Sequence, residues 1–204
     1  MDKMKIFIIG LPKSGRSTVS QAIAAHFHAR HIDATSWLKE SFRARQEGEH
    51  IHHYEDDYDN FLSISRLTNP NLITNHVREA IKSYQELDNV FVIDGISSPK
   101  DFIEMFEYRQ DVVIFLNRTD IEAEFKDHEN IGISVMRDYC FWMASAGLLP
   151  KQRWLEYNFK IPGEEADFVK ELGSKNSVFI IKSFNKVLLH VMDTLKPCMP
   201  TESK

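Results

Sequence analysis

The chain has 204 residues, 43% of them hydrophobic and 27% charged, with a formal charge of −5. That composition fits one folded domain and excludes a disordered chain or a generally basic nucleic-acid binder. Two cysteines, Cys140 and Cys198, make no disulfide framework. They point to a reducing compartment, with Cys140 read as buried rather than reactive.

The first predicted element is a strand. Ile6, Phe7, Ile8 and Ile9 form a short apolar run suited to burial on both faces of a parallel sheet. The run is too short for a membrane span or a signal-peptide core, so a cytoplasmic location is the default expectation. Gly10 opens a tight loop of Leu11, Pro12, Lys13, Ser14, Gly15, Arg16, Ser17 and Thr18, and a helix is expected from Ser17 to about His31. Strand, glycine loop and helix in that order are the context of a phosphate-binding P-loop. Glycines let backbone N–H groups turn inward around an anion, and the helix N-terminus adds further donors. The spacing from Gly10 to Gly15 fits GxxxxGK[ST], with Ser17 at the magnesium-binding hydroxyl. Arg16 stands where that pattern has lysine and brings a larger, planar, forked cation; Lys13 is a candidate second cation. The same residues also admit a glycine-rich turn that holds no ligand.

His31 to Trp37 reads as a short strand or a turn, and Trp37 to Gln46 as an amphipathic helix carrying Arg43 and Arg45. The stretch from Glu49 to Asn60 concentrates His50, His52 and His53 before Glu55, Asp56, Asp57 and Asp59. It lacks the separated ligand pairs of zinc sites and the glycine and terminal glutamate of a calcium loop. A polar connection or a substrate-facing lid is the stronger reading, and metal binding the weaker. Tyr54, Tyr58 and Phe61 fit either base stacking or helix packing.

Asn69-Pro70 marks a turn before a helix over 72–85. Val90 to Ile93 is a second buried-strand signature and ends in Asp94-Gly95. A carboxylate at that strand end beside a P-loop suits hydrated magnesium or an acceptor, whereas by itself it would only begin a turn. A helix follows over 102–109, then a third strand, Val112 to Leu116, with Asn117 and Arg118 at its end. A helix to about His128, another over 134–146, a strand over 177–181 and a closing helix over 184–195 complete the pattern. Strands alternating with helices imply an α/β class: a doubly wound, mostly parallel β-sheet flanked by helices, as in the P-loop NTPase fold. One domain is expected over 1–196, with a helical or lid insertion about 37–66 and a lid-like helical region about 125–160. Residues 197–204 have the composition of a frayed tail.

The order GLPKSGRST, NPNLITNHVREAI, VFVIDGISSPKDF and DVVIFLNR resembles the nucleoside monophosphate kinases among P-loop proteins, especially phage-type deoxynucleoside monophosphate kinases and dephospho-coenzyme A kinase-like proteins. The resemblance covers most of residues 4–125. It implies that Gly10 to Thr18 hold the donor phosphates of ATP, with Lys13 and Arg16 as catalytic cations. It also implies that Ser17 binds Mg2+ and that Asp94 is the acid at the metal or the acceptor. In related kinases an arginine follows the Asp-Gly strand end; here Ser97 and Ser98 stand there. The lid region offers Lys126 and Arg137, and Arg43, Arg45, Arg66, Arg78 and Arg118 are candidates to compensate. The expected activity is ATP- and magnesium-dependent phosphoryl transfer to a nucleotide or nucleotide-like small molecule. The alternative is a catalytically impaired pseudokinase serving as a nucleotide-binding or protein-interaction module. No nucleic-acid or membrane partner is indicated, and both a monomer and a homodimer stay open.

Overall fold

The computed structural model describes residues 3–49, 54–84, 89–118, 127–159, 169–171, 177–181 and 184–200. Helices and strands follow in the order β1 Met4–Gly10, α1 Arg16–His26, β2 Arg30–Asp33, α2 Ser36–Glu49, α3 Tyr54–Thr68, α4 Leu72–Ser83, β3 Val90–Asp94, α5 Pro99–Met105 and β4 Val112–Arg118. Then come α6 Asp127–Ser145, β5 Trp154–Phe159, β6 Val169–Glu171, β7 Ser177–Ile181 and α7 Phe184–Leu195. One seven-stranded sheet in the order β2-β3-β1-β4-β5-β7-β6 joins the strands. Every adjacent pair is parallel except β6 with β7. β1 lies between β3 and β4, so the chain winds to opposite sides of it. That reversal opens the crevice at the strand C-termini where doubly wound sheets bind ligands.

Strand alternation divides the core into two layers. Phe7, Ile9, Phe91, Ile93, Phe115 and Trp154 face a cluster that also holds Leu38 of α2, Ile73 of α4, Phe102 of α5 and Met136 of α6. Ile6, Ile8, Val92, Ile114, Leu155 and Tyr157 face the opposite way, onto Val19 and Ile23 of α1 and Val187 and Val191 of α7. Burial on both faces is why these strands read as continuous apolar runs. Buried Asp111 ties the layers to β1: it accepts from the Lys5 and Glu107 backbone N–H groups at 2.8 and 2.7 Å and pairs with Lys5 Nζ at 2.9 Å.

The structure corrects several boundaries. α1 ends at His26, and β2 begins at Arg30. Of the region expected about 125–160 to be helical, Asp127–Ser145 is an α-helix and the C-terminal part is a strand. Met136, Cys140 and Leu149 are buried, and Trp154–Phe159 forms a strand between β4 and β7. That strand escapes a helical reading only through its partners, because WLEYNF carries no glycine or proline at its ends. Tyr58 and Phe61 of α3 pack on Phe42 of α2, with centroids 5.5 and 5.2 Å from its ring, so these aromatics join two helices. The tail is folded as far as it is described: Lys196–Cys198 is a 3-10 turn, and the Cys198 thiol donates to the Gln152 carbonyl at 3.4 Å. No described helix is long and apolar enough to cross a membrane.

Candidate functional site

The glycine loop lies between β1 and α1. Gly10 lies opposite Leu116 of β4, so tightly that a Cβ on it would fall 2.6 Å from both the Leu116 carbonyl oxygen and Ser14 Oγ. The Ser14 N–H donates to the Leu11 carbonyl at 3.1 Å, closing the loop on itself. Lys13 and Gly15 both take left-handed backbone conformations, with φ of 62° and 84°. Glycine accepts that geometry freely, whereas a lysine in it marks local strain of the kind kept at functional sites. Two left-handed residues with one position between them are a pattern from which anion-binding nests are built. α1 begins at Arg16 with no side-chain cap and no acidic residue in its first turn, which leaves its terminal N–H groups to an anion. Lys13, Ser17 and Thr18 are exposed at the mouth, Pro12 and Arg16 are half-buried, and Leu11 and Ser14 are buried.

Two strand ends flank this loop on its β3 side. Phe7 pairs with Ile93, which brings Asp94 level with the last residues of β1, and alternation places Asp94 on the α1 face. Its side chain is 1% exposed, and neither carboxylate oxygen accepts a hydrogen bond from a described residue. Asp33 at the end of β2 pairs with Asp94 in register and accepts from the Thr35 N–H at 2.9 Å. His31 Nε2 lies 3.2 Å from Asp94 Oδ1, close enough for charge to act though out of line for a hydrogen bond. Asp94 is the main cause of a raised His31 pKa; burial opposes it, and Asp33 adds to it. A buried carboxylate short of donors suits a cation, and a nest at a helix start suits a phosphate. Gly95, at φ 80°, keeps this corner tight, since a Cβ there would meet Asp33 Oδ1 at 2.8 Å.

On the other side, Arg118 at the end of β4 donates from Nη1 to the Lys13 carbonyl at 2.9 Å, fixing the strained loop residue. A cavity of about 340 Å³ opens here, lined by Leu11, Asn117, Ile133, Ser134, Arg137 and Glu156 among others. Asn117 Nδ2 donates to Asn158 Oδ1 at 2.7 Å, joining the ends of β4 and β5. α6 roofs the cavity: its Gly132 is so close to the loop after β3 that a Cβ would lie 2.9 Å from the Ser97 carbonyl oxygen. Arg137 Nη1 lies 3.3 Å from Glu156 Oε1. Burial raises the Glu156 carboxyl above its usual range, and Arg137 pulls it back.

The candidate arginines separate on structural grounds. Arg66 pairs with buried Asp101 at 3.2 Å, and Arg78 donates to the Glu104 carbonyl at 3.2 Å; both serve α5. Ser98, one of the two serines that follow the Asp-Gly end of β3, caps α5 by accepting from the Asp101 N–H. Arg43 is exposed on α2. The Arg45 side chain, the histidine and acidic side chains over 50–57 and 59, and Lys126 lie outside the described residues. Sequence reasoning singled out neither His31, Asp33 nor Glu156 for the site. His31 and Asp33 lie on a four-residue strand whose register with β3 has no local signal, and Glu156 interrupts an apolar strand that was not predicted. Cys140 is buried as expected, with its thiol pKa pushed far up by burial.

No protein-family model matches the sequence, and no curated protein matches it. Among solved structures the chain is similar to thymidylate kinase from Ehrlichia chaffeensis, with 13% identity over 96% of this chain and 100% of that one and a TM-score of 0.54. It also aligns with shikimate kinase from Bacteroides thetaiotaomicron, at 17% identity over 76% and 85% of the two chains, with a TM-score of 0.38. Gluconokinase from Sinorhizobium meliloti aligns at 14% identity over 96% and 90%, with a TM-score of 0.39. The first likeness bears on the fold; the other two carry no weight. Together with the strand–loop–helix order and the doubly wound sheet, it fits the doubly wound α/β fold of P-loop NTPases.

Proposed function

We propose that this chain is an ATP- and magnesium-dependent phosphotransferase acting on a nucleotide or nucleotide-like small molecule. One observation carries the reading: an uncapped loop-to-helix turn at Lys13 to Arg16 follows β1, and the neighbouring strand β3 ends in a buried carboxylate, Asp94, whose oxygens accept no hydrogen bond from a described residue. Phosphoryl transfer asks a protein for positioning and for charge rather than for covalent chemistry. In this reading the backbone from Gly10 to Thr18 holds the donor phosphates, with Lys13 and Arg16 as cations. Ser17 and Asp94 would hold a magnesium ion, which would supply positive charge against the phosphates. Asp33 and His31 surround Asp94 and set the local charge. Arg118 fixes the loop through Lys13, and Arg137 reaches the cavity beside Leu11 as the cation from the roofing helix. Helices α2 and α3 cover the acceptor.

The test is ADP release from magnesium-ATP against ribo- and deoxynucleoside monophosphates and dephospho-coenzyme A, with Arg16→Lys run in parallel. Acceptor-dependent ADP from the natural protein establishes the activity and its substrate. Activity confined to Arg16→Lys identifies Arg16 as the change that silenced an intact site. Nucleotide binding with no turnover by either protein refutes the reading in favour of a nucleotide-binding pseudokinase.

A further inference from the structure

β5 contains a residue that the fold does not require. In WLEYNF, Leu155 and Tyr157 face the α1 and α7 layer, while Trp154 and Glu156 face α6. Glu156 lies opposite Phe115, is 8% exposed, and has Arg137 as its ion-pair partner among the described residues. An apolar side chain would complete this layer. A buried carboxylate loses hydration, and a pair whose other partner, Arg137, is 37% exposed is poor grounds for inferring stability.

Its placement relative to the loop supplies another reason for it. Arg137 comes from α6, whose position over the strand ends is fixed by the close approach of Gly132 to Ser97. Its guanidinium and Leu11 of the glycine loop line the same cavity. Guanidinium carries five N–H donors in a rigid fork, so the contact to Glu156 leaves others to a second anion. An arginine on a long, rotatable stem acts on developing charge only when something holds it in place beforehand.

We propose that Glu156 is a positioning residue, which holds the Arg137 guanidinium in the cavity so that its remaining donors meet the terminal phosphate of a nucleotide seated on the loop. This rests on the phosphotransferase reading above. It makes Arg137 a reader of the third phosphate, and Glu156 the residue that keeps it there.

Calorimetry with a non-hydrolysable ATP analogue and with ADP, each with magnesium, tests this on the natural protein, Glu156→Gln, Glu156→Asp, Arg137→Ala and the Glu156→Gln/Arg137→Ala double variant. Glu156→Gln and Arg137→Ala are each expected to lose roughly tenfold in analogue affinity, the scale of one charge-assisted hydrogen bond, while ADP affinity stays the same. The double variant should lose no more than Arg137→Ala, because the two side chains act as one unit. Glu156→Asp, which keeps the charge, should recover part of the loss. With an acceptor present, Glu156→Gln should lower kcat by roughly 10–100-fold with KM for the acceptor unchanged. Equal losses for analogue and ADP, additive losses in the double variant, or a lowered Tm with unchanged analogue preference each overturn the positioning role. A natural protein that binds neither nucleotide overturns the phosphotransferase reading and this one together. A natural protein that binds both, with Glu156→Gln unchanged, overturns this one alone.

Discussion

At the scale of single residues the site is governed by crowding and charge. Gly10 has no room for a side chain: an added methyl group meets the Leu116 carbonyl and Ser14 Oγ at 2.6 Å, and one of them belongs to a strand that cannot yield. Gly10→Ala is therefore expected to lose about 1–3 kcal/mol in urea unfolding and to lose nucleotide binding by calorimetry. Unchanged values in both would show that the loop relaxes freely. His31 makes a second prediction, in magnesium-free buffer. Its folded pKa is raised above 6.5 chiefly by Asp94, so its contribution is fully present below the unfolded value. It is lost as pH rises through the folded one. The Tm difference between the natural protein and His31→Gln should thus be large at about pH 5.5 and small at about pH 8. A gap that widens with pH contradicts the assigned charge.

Among the elements, α5 and α6 decide what the arginines do. Asp101 is buried, at 3% exposure, and is held by Arg66 at 3.2 Å and by the Thr74 hydroxyl at 3.4 Å. Burial raises its pKa, and Arg66 draws it back down. Arg66 is thus a tie between α3 and α5. Arg66→Ala should cost about 1–3 kcal/mol by leaving Asp101 short of a partner, measured by thermal or urea melts, while kcat/KM stays within about twofold. A large loss of activity at unchanged stability would assign Arg66 to the phosphates instead. Arg118 is a different case, because its guanidinium ends on the loop itself.

For the whole molecule, α2, α3 and α6 pack on one face of the sheet, and in the proposed phosphotransferase reading α2, α3 and the start of α6 border the ligand edge. Kinases that exclude water close such elements over substrate. Hydrogen exchange should therefore show greater protection of 36–68 and of the first turns of α6 when magnesium-ATP and acceptor are both present. The second half of α6, anchored by Met136 and Cys140 in the core, should not change. Equal protection of 36–68 with and without ligands counts against closure. Within the region expected about 125–160 to be lid-like, Met136, Cys140 and Leu149 are anchored in the core while Trp142 and Leu148 are exposed.

Local chemistry carried a large part of the fold. The runs KIFIIG, VFVID and VVIFL announce buried parallel strands because both faces must be apolar. Gly10 and Gly15 announce the loop because its backbone needs space and a left-handed residue, and Asp94 is legible as the polar end of an apolar run. The sequence by itself therefore determined the class of fold and the position of the glycine loop. Only tertiary structure decided what stands around it. His31 reaches Asp94 through a strand register, Arg118 reaches Lys13 across 105 positions, and Arg137 meets Glu156 between a helix and a strand that nothing local predicts. Such contacts depend on which strand lies beside which, and that order comes from burying all the faces at once rather than from any one stretch of residues.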